Sequence, residues 1–240
     1  MTSFSFSRIL LKLSGEALLG EEPFGIHPNA CDRVADYLRS FHIAEIELGV
    51  VIGGGNFFRG SSLSSTGIAR TPADQIGMLA TIMNGIALQQ ALQLRNVPCV
   101  LMSAFDCPLV AESYNWMKAQ NYLREGKIIL FVGGTGNPYF TTDTAAALRA
   151  TEIGADLLLK ATKVDGIFTK DPNKHPDAIK YQRISYSQVL SEHLQVMDST
   201  AVTLCQNHKI PIFVFNMSRL TQEPINSIIS ELEKGTWVSE

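Results

Sequence analysis

Cysteine is scarce and scattered, with four in 240 residues and no C-x-x-C pair among Cys31, Cys99, Cys107 and Cys205. Neither a disulfide scaffold nor a thiolate zinc site organises such a chain, and the cysteines read as reduced, mostly buried thiols. Charge is thin too. Asp, Glu, Lys and Arg supply 18% of the residues and the net charge is −3, so there is no basic excess to hold nucleic acid or an anionic membrane. Any polyanion must be met locally. Internal repeats and low-complexity stretches are missing, and a hydrophobic share of 45% excludes a disordered chain. The N-terminal apolar run, Ile9 to Leu11, stops at Lys12, too short for the core of a secretory signal, so a cytoplasmic address is expected.

Three familiar active-site signatures are also absent. The only Gly-Lys pair, Gly126-Lys127, is followed by Ile128, which removes the P-loop. Gly53-x-Gly55 has Phe58 where a dinucleotide fingerprint needs a third small residue for close helix–strand packing. No G-x-S-x-G elbow occurs, and of the five histidines only His27 lies near a glycine loop, so a Ser-His-Asp hydrolase is not indicated.

What is present is alternation. Short β-rich runs at Ile9–Leu13, Ile46–Ile52, Val97–Met102, Lys127–Val132, Asp156–Lys160 and Ile210–Phe215 read as buried strands. Helical patterns lie at Asn29–His42, Pro72–Leu94, Tyr114–Arg124, Asp143–Glu152, Asp198–His208 and Gln222–Lys234. This order predicts a three-layer α/β/α sandwich with a mainly parallel sheet, residues 1–240 forming one domain. Thr71, Pro72 and Asp74 suggest a cap, a first-position proline and a first-turn acid. Gln75–Leu94 carries no charge; its Gln and Asn residues argue against lipid, leaving the core or another subunit to cover it. Ala161–Ser185, rich in Lys, Asp and Pro, reads as an irregular or hairpin excursion over the sheet edge.

Glycines follow three predicted strands: Ser14-Gly15, Gly53-Gly54-Gly55 and Gly133-Gly134-Thr135-Gly136. In open α/β sheets ligands sit at the carboxyl ends of strands, and glycine lets backbone N–H groups approach a phosphate closely. Cations stand beside them: Lys12, Arg59, Lys160 and Lys163. Phosphoryl transfer needs in-line positioning and positive charge on the phosphoryl oxygens more than covalent help from protein, and this inventory suits it. Asp143, at a helix start, serves either the helix dipole or the orientation of lysines or metal.

At this point a resemblance emerges. Leu11-Lys12-Leu13-Ser14-Gly15-Glu16, Gly53 through Gly60, Gly134-Thr135-Gly136-Asn137-Pro138 through Asp143, and Lys160-Ala161-Thr162-Lys163-Val164-Asp165-Gly166 resemble the bacterial uridylate kinases, nearly end to end. The resemblance implies the amino-acid-kinase (carbamate-kinase-like) fold, transfer of the ATP γ-phosphoryl to UMP, and a homohexamer built from dimers. It implies Mg²⁺ with ATP, held mainly by nucleotide phosphates and by no assigned protein ligand. By motif, Lys12, Arg59, Asp143 and Lys160 are expected to be catalytic. Lys12, Leu13, Ser14, Gly15, Gly55, Arg59, Thr162, Phe168 and Asp171 are expected on ATP. Gly54, Asp74, Thr135, Gly136, Asn137, Pro138, Tyr139, Phe140, Thr141 and Thr142 are expected on UMP. A phosphate acceptor is already dianionic at neutral pH, since its second pKa is about 6, so no general base is required.

The pattern departs in one region. Gln89-Gln90 and Val100 stand where such enzymes often carry an Arg-Asp pair and another arginine, which implies a weakened or altered response to GTP. Two other readings share the fold: an enzyme phosphorylating a carboxylate or carbamate, and a non-catalytic nucleotide sensor. The first requires a different acceptor segment in place of Thr135–Thr142; the second requires a lost lysine or glycine loop.

Overall fold

Along each central strand, successive side chains are buried on opposite faces, as a sheet covered on both sides requires. The structure, a computed structural model, describes residues 6–58, 67–194, 196–221 and 234–240. In chain order the described elements are β1 (Arg8–Leu13), α1 (Pro28–Ile43), β2 (Glu47–Ile52), α2 (Arg70–Gln93), β3 (Cys99–Ser103), β4 (Glu112–Ser113), α3 (Trp116–Arg124), β5 (Ile128–Val132), α4 (Thr142–Ile153), β6 (Leu157–Thr162), β7 (Arg183–Ser185), α5 (Tyr186–Ser191), α6 (Ser199–Asn207), β8 (Ile212–Asn216) and β9 (Gly235–Ser239). Short 3₁₀ turns follow β1 and β8. The strands form one sheet ordered β4-β3-β5-β2-β1-β6-β8-β9-β7, parallel except where β9 runs against β8.

Two apolar layers sandwich this sheet. Ile9, Leu11, Leu48, Val50, Leu157 and Leu159 meet α1 and α2. Their neighbours Leu10, Val51, Leu158 and Val214 meet α3 through α6. Buried Arg149 braces α4: its guanidinium carbon lies 3.7 Å from the Tyr114 ring centre and it ion-pairs with Glu152. The Tyr114 hydroxyl donates to the same Glu152 at 2.6 Å.

All six predicted strands are present with shifted ends, and five of the six predicted helices. The sixth, Gln222–Lys234, falls almost entirely outside the described residues. β4, β7 and β9 were not expected, being too short to show a period. The start of α2 also differs. Ala69, not Thr71, precedes the helix, and Pro72 sits third in the first turn, where its missing N–H leaves no intrahelical bond unmade. No described helix is long and apolar enough to cross a membrane. On α2, Leu79, Met83 and Ile86 are instead about half exposed, at four- and three-residue steps that place them on one face. The 161–185 segment is a hairpin-like excursion closed by an antiparallel bridge between Phe168 and Lys180, ending in β7 at the sheet edge.

Candidate active site

Lys12 and Lys160 lie on adjacent strands, paired directly across β1 and β6. Each is two residues beyond a leucine buried under α4, so both ammonium groups point to that face. Two like charges abreast repel, and the carboxylate between them is Asp143, in the first turn of α4. Lys160 Nζ donates to Oδ2 at 2.6 Å, and Lys12 Nζ lies 2.9 Å from Oδ1. The Lys12 contact is an ion pair to the other carboxylate oxygen, so each lysine has an oxygen of its own. Burial, then the neighbouring Lys12 charge, pulls Lys160 below its ordinary pKa against the opposing pull of Asp143. Burial would raise Asp143, but the two ammonium groups outweigh it and hold the carboxyl below its ordinary range. The result is a partly buried carboxylate holding two lysines at the carboxyl end of the sheet.

A cavity opens on either side. The first, about 670 Å³, is lined by Lys160, Thr162, Phe168 and Asp171, with Gly166 and Val214. The second, about 390 Å³, is lined by Gly54, Gly55, Asp74, Thr141 and Thr142, with Arg70 and Gly134. Gly55 therefore faces the same cavity as Gly54, not the one beside Thr162. Leu13 turns its side chain into the core and its carbonyl accepts from Gly53 N, so only its backbone belongs to the loop. Ser14 caps the 3₁₀ turn through Glu16 N–H. Thr135, Gly136, Asn137, Pro138, Tyr139 and Phe140 do not line the second cavity. They form the loop before α4, where Gly133, Gly134 and Gly136 take the left-handed backbone that favours glycine. Tyr139 adopts it too, at φ 73°. Its N–H donates to Asp74 at 2.8 Å and its ring lies under Arg70, which ties this loop to the cavity wall. Arg59 lies outside the described residues.

Comparison with known proteins identifies the family. The model of the amino acid kinase family matches residues 7–216. The chain belongs to the amino acid kinase family. It is 60% identical to the uridylate kinase of Protochlamydia amoebophila, over 97% of this chain and 93% of that protein. It is 51% identical to the uridylate kinase of Magnetococcus marinus, over 93% and 96%. Among solved structures, the UMP kinase of Bacillus anthracis superposes with a TM-score of 0.91 at 35% identity, covering 98% of this chain and 96% of that one. The UMP kinase of Ureaplasma parvum gives 0.90 at 34%, covering 99% and 100%.

This amino acid kinase also uses residues that sequence reading passed over. Asp198 caps α6 through Ala201 N–H at 2.9 Å, and it accepts hydroxyl bonds from Thr141 and Thr144 at the start of α4. Its cap position was legible, but its second task depends on α6 packing beside α4. Arg70 was passed over as well; it holds Asp74 at 2.7 Å, a four-residue spacing on α2 visible in the sequence.

Proposed function

We propose that this chain transfers the γ-phosphoryl group of ATP to UMP, releasing UDP and ADP for pyrimidine nucleotide synthesis. One arrangement carries the reading: Lys12 and Lys160 are held by Asp143, with Lys160 in the wall of one cavity and the glycine-loop residues Gly54, Gly55 and Gly134 in the wall of the other. The cavity beside Thr162, Phe168 and Asp171 takes the adenosine. The one beside Gly54, Asp74 and Thr142 takes UMP, with Thr135 to Thr141 closing over it. Lys12, Ser14 and Gly15 meet the ATP phosphates, with Arg59 from the adjoining segment. The lysines stabilise charge as the phosphoryl group passes between oxygens, and Asp143 keeps them oriented without reorganisation. No histidine lines the acceptor cavity, as suits an acceptor phosphate that is already dianionic.

Magnesium enters as part of the MgATP substrate, held mainly by the nucleotide's phosphates, where it neutralises their charge. Among the described residues no group of three or more His, Cys, Asp or Glu side chains is arranged to hold a metal. Both substrates are cytoplasmic metabolites, so this reading places the protein in the cytoplasm. It also takes the chain as a homohexamer of dimers, with the exposed Leu79, Met83 and Ile86 stripe as one subunit contact.

The test is ADP release from MgATP with UMP, CMP, acetylglutamate or carbamate as acceptor, each with and without GTP. UMP-dependent turnover is expected. Turnover only with another acceptor, or none, overturns the reading. Among the described residues, the cavity that holds Gln89 and Val100 is lined by one cation, Lys118, and one acid, Glu112, so GTP is expected to change the rate by less than about twofold.

A further inference from the structure

Asn84, in the middle of the uncharged helix α2, is fully buried, and Asn56, just after the second glycine loop, is 3% exposed. Their amides form a closed reciprocal pair: Asn56 Nδ2 donates to Asn84 Oδ1 at 2.8 Å, and Asn84 Nδ2 donates to Asn56 Oδ1 at 2.7 Å. Each nitrogen then spends its second proton on a different loop. Asn84 Nδ2 donates to the Gly53 carbonyl at 2.7 Å, and Asn56 Nδ2 to the Gly25 carbonyl at 2.9 Å. The Asn56 carbonyl takes the Gly25 N–H at 2.9 Å, so that loop is held at two points. The first glycine loop rests on the pair directly. A Cβ on Gly15 would collide with Asn56 Oδ1 and the Gly53 carbonyl, and would come within 2.9 Å of Asn84 Nδ2. The helix reaches the third loop as well, where Thr81 Oγ1 accepts the Gly133 N–H at 2.8 Å.

A buried amide pair with every proton used has one low-energy arrangement, and losing either partner strands donors and acceptors away from water. Apolar residues would fill this space without setting a distance between loops. We propose that Asn56 and Asn84 are positioning residues that fix the spacing of the first and second glycine loops, and so the alignment of donor and acceptor phosphates. Neither side chain touches the transferred group; both act through Gly15 and Gly53. The inference rests on the kinase reading above, and it adds a polar latch carried by α2.

The experiment compares Asn84→Leu, the milder Asn56→Ser and the double variant with Leu92→Ala, a core truncation on the same helix. Each is measured for thermal midpoint, kcat and KM with UMP, and Mg-AMPPNP affinity by calorimetry. The latch variants are expected to lose at least about 30-fold in kcat, with KM for UMP within about threefold, and to bind Mg-AMPPNP at least about tenfold more weakly. The double variant should be no worse than the poorer single, because the two amides act as one unit. Leu92→Ala should lower the midpoint and leave kcat and affinity within about twofold. The inference is overturned if either single variant keeps kcat and affinity within about threefold, if the losses multiply in the double, or if Leu92→Ala gives the same split. If Asn84→Leu does not fold, Asn56→Ser decides. A wild-type protein that binds Mg-AMPPNP but does not turn over UMP refutes the acceptor assignment alone, and the affinity arm then judges the latch.

Discussion

The two cavities flanking Asp143 are built by opposite means. The first is walled largely by residues 162–172 of the 161–185 excursion, which is tied back by the Phe168–Lys180 bridge and by surface ion pairs such as Lys170–Asp177 at 2.7 Å, with both partners more than half exposed. The second is walled by glycine loops bonded to Thr81 and Asn84, buried on a 24-residue helix. Surface pairs contribute little and open easily, whereas buried, fully bonded groups hold one geometry. Under the proposed function the contrast has a use: phosphates need placement to a fraction of an ångström, while a nucleoside needs a wall that admits and releases it.

The strongest way to break this contrast is at Asp143, which bonds Lys160 in the wall of the first cavity and follows Thr142 in the wall of the second. Asp143→Asn should lower kcat/KM by about 10³-fold, near 4 kcal/mol at the transition state, because both lysines lose their common partner. A loss below tenfold in steady-state assay would deny Asp143 that organising role. Lys12→Ala should cost at least about 10²-fold, with the circular dichroism spectrum unchanged. A loss under fivefold would remove Lys12 from the site.

Lys160 sharpens the comparison through pH. Its pKa is pulled below the ordinary 10.5, so between that lowered value and 10.5 the folded protein binds fewer protons than the unfolded chain. The stability contribution of this residue therefore rises with pH through that window. Activity runs the other way, since the ammonium is lost there. The kcat/KM profile should show an alkaline limb below 10.5 that Lys160→Arg moves upward, and a limb unmoved by that substitution would belong to another group.

The looser cavity should respond differently. Phe168→Ala is expected to raise KM for MgATP about tenfold with kcat within about twofold, the mark of binding lost equally from ground and transition states. An equal loss in kcat would mean that this wall, too, positions phosphates. The smallest effect belongs to its surface: Lys170→Ala should shift the thermal midpoint by less than about 2 °C in calorimetry.

Much of this was legible in the chain. Lys12, Lys160 and Asp143 stand out because a charge ending an apolar strand, or opening a helix after a glycine loop, needs a partner. Asp198 and the Asn56–Asn84 pair do not stand out. Asp198 is read only as the start of a helical pattern, and Asn84 as a polar residue in an uncharged helix, until neighbours far along the chain show what they hold. β9 escaped for a different reason: its five residues show no usable period, and only pairing against β8 makes them a strand.

By itself, the sequence determined the alternation of buried strands and covering helices, the glycines at strand ends and the kinds of cation beside them, because period, backbone freedom and charge are local properties. Only the tertiary structure decided that β1 lies between β2 and β6 and that Lys12 pairs with Lys160, with Asp143 set across both. It also decided that a buried asparagine on α2 meets the carbonyl of Gly53. Those contacts join residues distant in the chain, and they exist because a charge or an amide sealed from water must find its partner wherever the fold supplies one.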